Sequence, residues 1–271
     1  MLVRIISSVI LLPVLIAVVF FGGIWLKIGI LAASLIGMHE FYKAFSIDKK
    51  PVAYIGYIFA VIYILFINTI INENNIFNIF VSVFILVFLI YTVVFHNHTN
   101  ITESFVGFFG YFYVCFLISH IYLIREYSYG IYFVWLSFIC AWGCDTGAYF
   151  TGVAIGKHKL IPTLSPKKTI EGSIGGIVTA MVIGFIYGTV MDSYFVLEHV
   201  NTILLCVLTG AIGSVLAQIG DLAASAMKRY TGIKDFGNLI PGHGGIIDRF
   251  DSVLLTAPVV YYLMLFLINV R

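Results

Sequence analysis

Apolar positions in this chain neither alternate with polar ones nor form a one-sided helical stripe. They run on in blocks of about twenty residues, the length a helix needs to cross the hydrocarbon core of a bilayer. Six blocks carry no charge: 5–26, 52–71, 76–95, 104–124, 172–191 and 252–270. Three more are lightly interrupted, 28–45 by Glu40 and Lys43, 131–152 by Asp145, and 203–227 by Asp221. The pattern predicts an all-α polytopic membrane protein of about nine transmembrane helices. The first block is too long for a signal peptide and lacks a small-residue cleavage site, so it is expected to stay as a span.

Composition agrees. The 271 residues are 61% hydrophobic and 10% charged, against about a quarter charged in soluble domains. A soluble enzyme, a DNA-binding module and a disordered tail are excluded, and a net charge of +2 gives no sign of a nucleic-acid partner. Cys115, Cys140, Cys144 and Cys206 lie in apolar stretches and read as small buried hydrophobes. With nine spans, one face receives Arg4, Lys43, Lys49, Lys50, Lys157, Lys159, Lys167, Lys168, Lys228, Arg229, Lys234 and Arg249, and the other only Lys27, Arg125 and Arg271. The positive-inside rule then predicts a cytosolic N-terminus and an outside C-terminus. Two glycosylation sequons at Asn97 and Asn100 fall on the cytosolic side and read as chance matches. Polar clusters gather after residue 140, so 1–128 is expected to be a transmembrane scaffold and 129–271 a catalytic region with two long cytosolic loops, 157–171 and 228–251.

Ionisable residues inside a span are functional candidates by default, a central Asp costing about 2.5–3.5 kcal/mol on insertion scales. Counting ~1.5 Å per residue along a helix from the outer face, Asp221 lies about 30 Å in and Asp145 about 22 Å in, both toward the inner leaflet. Beyond Asp221 come Ser225, Lys228, Arg229, Lys234, Asp235, then Pro241-Gly242-His243-Gly244-Gly245, then Asp248, Arg249 and Asp251. Hard carboxylate oxygens suit Mg²⁺ held by one or two acids plus substrate phosphates. Lys and Arg clamp phosphate oxygens, and the glycines allow backbone N–H groups to approach an anion. The last acids sit where the ninth helix begins, whose dipole favours a phosphate once a metal neutralises them. The loop with Ser165, Lys167, Lys168 and Glu171 reads either as a polyphosphate clamp or as a patch for anionic headgroups. Gly172/Gly176 behind it suit close helix packing as well as a site, whereas Gly184/Gly188 are expected to pack. Residues 152–157 are not a Walker A loop, His39-Glu40 lacks the second His of a zincin, and no Gly-x-Ser-x-Gly elbow exists. His96, His98, His120 and His199 read as ordinary.

The run Ser225-x-x-Lys228-Arg229, Lys234-Asp235-x-Gly237 and Pro241-Gly242-His243-Gly244-Gly245-x-x-Asp248-Arg249-x-Asp251 closely resembles the signature of phosphatidate cytidylyltransferases (CDP-diacylglycerol synthases). Gly220-Asp221-Leu222, Asp145-Thr146-Gly147-Ala148-Tyr149 and Ser165-Pro166-Lys167-Lys168-Thr169-x-Glu171-Gly172 are similar to further segments of that family. The strong likeness covers about residues 140–252, with Ile170 and Ala224 as mild departures. It implies transfer of CMP from CTP to phosphatidic acid, with Mg²⁺ alone or with a second cation, in a homodimer of the cell membrane whose site faces the cytosol. The implied catalytic set is Asp221, Asp248, Lys228, Arg229 and Asp251, with Asp221 and Asp248 as metal ligands. Substrate binding is expected from Lys167, Lys168, Ser165, Asp145, Lys234, Asp235, His243, Gly244, Gly245 and Arg249. Rival readings are a CTP-dependent lipid kinase, a CDP-alcohol phosphotransferase (disfavoured because the chain has no Asp-Gly pair) and an ion-coupled transporter.

Overall fold

A computed structural model describes residues 2–194, 200–239, 241–242 and 244–269; the expectations for His199 and His243 fall outside them. Helices dominate: α1 (Leu2–Phe21), α2 (Gly23–Ala44), α3 (Pro51–Leu65), α4 (Ile67–Asn72), α5 (Asn74–Val94), α6 (Ile101–Gly110), α7 (Leu117–Glu126), α8 (Gly130–Phe138), α9 (Cys144–Ile155), α10 (Ile170–Asp192), α11 (Thr202–Thr231) and α12 (Ile247–Asn269). Wider π-type turns, Tyr111–Phe116 and Ile139–Gly143, join α6 to α7 and α8 to α9 into continuous rods. Among the described residues seven rods are long and apolar enough to cross a membrane, and Leu11–Phe21 and Pro51–Leu65 are shorter apolar helices. The protein is an all-α polytopic membrane protein.

Two local readings change. The block 52–71 is broken at Phe66, which ends α3 and starts α4; Lys27 Nζ donates to the Leu65 carbonyl at the break (2.7 Å), satisfying an acceptor that apolar surroundings could not. The loop 157–171 is partly a hairpin, β1 (Lys159–Ile161) against β2 (Ser165–Thr169), antiparallel with Lys159 opposite Thr169 and Ile161 opposite Ser165.

The chain forms two compact units, 1–119 with 235–247, and 120–234 with 248–271. Aromatic packing dominates the first: Phe84 meets Phe59, Phe88, Phe108 and Tyr111. Tyr42 donates to the Gly107 carbonyl (2.8 Å), and a methyl at Gly110 would strike Phe41 and Tyr42. Lys50 and Glu103 form an ion pair.

The second unit is built on α10. Gly172, Gly176, Ala180, Gly184 and Gly188 fall every fourth position and are all buried. At Gly172 and Gly176 an added methyl would meet the Ala148 and Cys144 carbonyls of α9, and at Gly184 and Gly188 it would meet Cys206 and Ile203 of α11. The expected packing role of Gly184/Gly188 is borne out, and Gly172/Gly176 also pack. Small residues let backbones approach where lipid supplies no hydrophobic drive between helices. The opposite face of α10, with Ile174, Val178 and Val182, is exposed, as a lipid-facing surface requires. All four cysteines are buried, and His120 packs against the rings of Tyr261 and Tyr262.

Candidate active site

In the second unit, α9, the hairpin, α11 and α12 bring ionisable side chains together. Thr169 caps α10 by accepting from Gly172 N (3.1 Å). Glu171 accepts from Lys157 N (3.1 Å) and His158 N (3.2 Å) and pairs with His158 Nδ1 (2.6 Å). These bonds tie both ends of the hairpin to one helix terminus. Alternation along β2 then leaves Lys167 exposed and turns Lys168 partly inward, where it forms an ion pair with Asp221 of α11.

Asp221 is held close to α12 by its neighbour. A methyl at Gly220 would lie 2.5 Å from the Asp251 carbonyl oxygen, so this approach requires glycine. The carboxylates of Asp145, Asp221 and Asp251 consequently repel one another, while Lys168 attracts Asp145 and Lys228 attracts Asp251. One α-helical turn after the next, Lys228 pairs with Asp248 Oδ1 (2.9 Å), whose side chain is 3% exposed. Such a pair tolerates burial only when both charges are present. Beneath the acids, Ser173 and Gln218 hydrogen-bond side chain to side chain, and Gln218 also reaches the Ser173 carbonyl (3.2 Å) and Cys144 Sγ (3.4 Å), fixing α9, α10 and α11 in register.

Of the expected site residues, Asp145, Lys168, Asp221, Lys228, Asp248 and Asp251 therefore fall into one network. Ser165 is half-buried on β2, and Lys167, Arg229, Lys234 and Arg249 are exposed in the same unit. Asp235, Gly244 and Gly245 belong to the first unit; Asp235 is exposed there. Gly242 and Gly244 adopt positive φ (77° and 88°), the left-handed backbone that glycine alone adopts freely. The carboxylate that Gly245 admits is the protein's own: Glu40 of α2 lies against Gly245 and Gly237 and accepts from Ile246 N and Ile247 N. Two amides at the start of α12, expected to favour a bound phosphate, are thus engaged by Glu40. In the sequence this residue stands out only as a light interruption of a span, although it is as ionisable within its helix as Asp145. The Glu171 clamp and the Gln218 contacts were also not read from the pattern.

The donor set suits Mg²⁺ in one particular manner. Among the described residues no three His, Cys, Asp or Glu side chains form a preassembled metal cluster. Clustered carboxylates that repel one another, offset by lysines, match instead an ion held by one or two acids and completed by substrate phosphates.

The sequence profile described as "Cytidylyltransferase family" matches residues 2–267, and the chain belongs to this family. A phosphatidate cytidylyltransferase of Staphylococcus haemolyticus (strain JCSC1435) is 32% identical over 266 residues, 97% of this chain and 98% of that protein. One of Bacillus subtilis (strain 168) is 39% identical over 186 residues, spanning 66% of this chain and 65% of that protein. A third, of Staphylococcus aureus (strain COL), is 37% identical over 175 residues, 65% and 64% of the two chains.

Proposed function

We infer that this protein transfers CMP from CTP to phosphatidic acid, giving CDP-diacylglycerol and pyrophosphate for phospholipid synthesis in the cell membrane. The observation that carries this reading is the Asp145–Lys168–Asp221–Lys228–Asp248–Asp251 network within a chain of which 97% aligns with a phosphatidate cytidylyltransferase. In the reaction a phosphate oxygen of phosphatidic acid bonds to the α-phosphorus of CTP and the bond to the β-phosphate bridging oxygen breaks. The acceptor is already ionised, so no strong base is needed. Catalysis becomes positioning and charge neutralisation.

Residue roles follow from charge and place. Lys168 and Lys228, now compensated by acids, are suited to exchange part of that pairing for phosphate oxygens when the nucleotide enters. Lys167, Arg229 and Arg249 are exposed and suited to steer and hold the triphosphate. We assign Asp221 and Asp248, supported by Asp251, to a divalent cation of the Mg²⁺ type, which when bound would neutralise the phosphate charge. Ser165, Asp145 and Lys234 complete the substrate-binding set in this reading. It includes a cytosolic site, nine spans with the N-terminus in the cytosol, and a homodimer.

Purified protein given labelled CTP and phosphatidic acid tests the reading through its released product. Pyrophosphate with a labelled liponucleotide supports it; CDP with a phosphorylated lipid would instead identify a kinase.

A further inference from the structure

We propose that Glu40 is a positioning residue for the transfer, holding the segment that leads into Asp248 and Asp251. The idea rests on the proposed reaction for its consequence, but the contact itself is independent of it. Glu40 is 6% exposed on α2, within one of the apolar rods, where an acid is costly. Its two oxygens are spent on backbone: Oε1 accepts from Ile246 N (3.0 Å) and Oε2 from Ile247 N (3.1 Å). Both amides lie at the start of α12, where N–H groups lack partners within the helix and favour negative charge.

Two glycines are shaped around this contact. A methyl at Gly237 or Gly245 would collide with the Glu40 carboxylate. Gly37, nearly one turn before Glu40 on α2, faces Val114, which a methyl there would meet at 2.8 Å, with Ile247 and Ile246 in ordinary contact at 3.6 Å and 3.7 Å. Between Gly237 and Ile246 the chain also uses the left-handed Gly242 and Gly244. The carboxylate therefore sets where the turn ends and where α12 begins. Asp248 is the next residue, and Asp251 lies within the same helical turn. Loosening the contact frees the peptide planes from which both acids are suspended.

The test uses the full-length protein in lipid nanodiscs. Glu40→Gln keeps size and shape but replaces one accepting oxygen with an amide group that donates, leaving one amide of α12 opposed. It is expected to raise the KM for CTP and lower kcat, with kcat/KM falling about ten-fold or more, as for loss of a hydrogen bond to a charged group. Hydrogen exchange at the Ile246 and Ile247 amides should quicken. A role confined to stability would reduce the active fraction and leave KM unchanged, which would overturn the proposal. Gly245→Ala should reproduce the Glu40→Gln effect, and its penalty should shrink in a Glu40→Ala background because the collision is gone. Wild-type KM, kcat and amide exchange in Glu40→Gln would equally overturn it. Should the wild type make no CDP-diacylglycerol, the reaction reading fails, while amide exchange and the double variant still decide the contact.

Discussion

Lys168 on the second strand of the hairpin is ion-paired with Asp221, two-thirds of the way along α11, whereas its neighbour Lys167 is exposed. Strand alternation gives the two lysines different work. Lys168 is part of the acidic network before substrate arrives, and Lys167 meets only what comes from outside.

The two should separate kinetically. Lys168→Ala is expected to lower kcat about 10- to 100-fold, as for loss of a charge-assisted contact, whereas Lys167→Ala mainly raises the KM for CTP. Steady-state assays of both variants check this. Equal effects on both parameters would show that the Asp221 pairing does not distinguish them.

The Lys228–Asp248 pair is buried at its acidic end, so breaking it leaves an uncompensated charge. Lys228→Met should destabilise by about 3–5 kcal/mol, read as a lowered thermal transition of the purified protein. Replacing both residues, Lys228→Met with Asp248→Leu, should recover most of the stability and none of the turnover. Recovery of activity in the double variant would remove the pair from the reaction.

Helix packing on α10 makes an unrelated prediction. Gly184 lies against the backbone of Cys206, and Gly184→Val forces the two helices apart. Overpacking of this kind costs about 1–3 kcal/mol and should lower thermal stability with a smaller effect on KM. Unchanged stability would mean that α10 and α11 are not in the close register described.

Metal removal is a further check. EDTA should stop CDP-diacylglycerol formation and added Mg²⁺ should restore it, because phosphate charge must be neutralised for the transfer. A rate indifferent to EDTA would contradict the assignment of Asp221 and Asp248.

Much of this arrangement can be read from the chain because membranes reduce the choices. Long apolar blocks have to be helices, so most rods follow from counting, and acids inside such blocks stand out by their cost. Asp145 and Asp221 were visible for that reason, and Asp248 and Asp251 through the motif around them. What escaped is local. Nothing in the apolar stretch around Phe66 announces the break, because its signal is a distant partner, Lys27, reaching the Leu65 carbonyl. The hairpin was hidden by Pro162, Pro166 and the lysines, which read as a loop; Glu171, bonding to Lys157 and His158, anchors the residues just before its first strand. Glu40 was hidden for the same reason: its partners are backbone amides some two hundred positions away, and no spacing rule connects them.

We place the reaction centre at the carboxylates around Asp221. The most direct measurement is CDP-diacylglycerol formation by purified Asp221→Asn, matched to the wild type in thermal stability and membrane reconstitution. A fall of about 100-fold or more is expected, the scale of losing a preorganised electrostatic group. A rate within a few-fold of wild type would place the chemistry elsewhere in the protein.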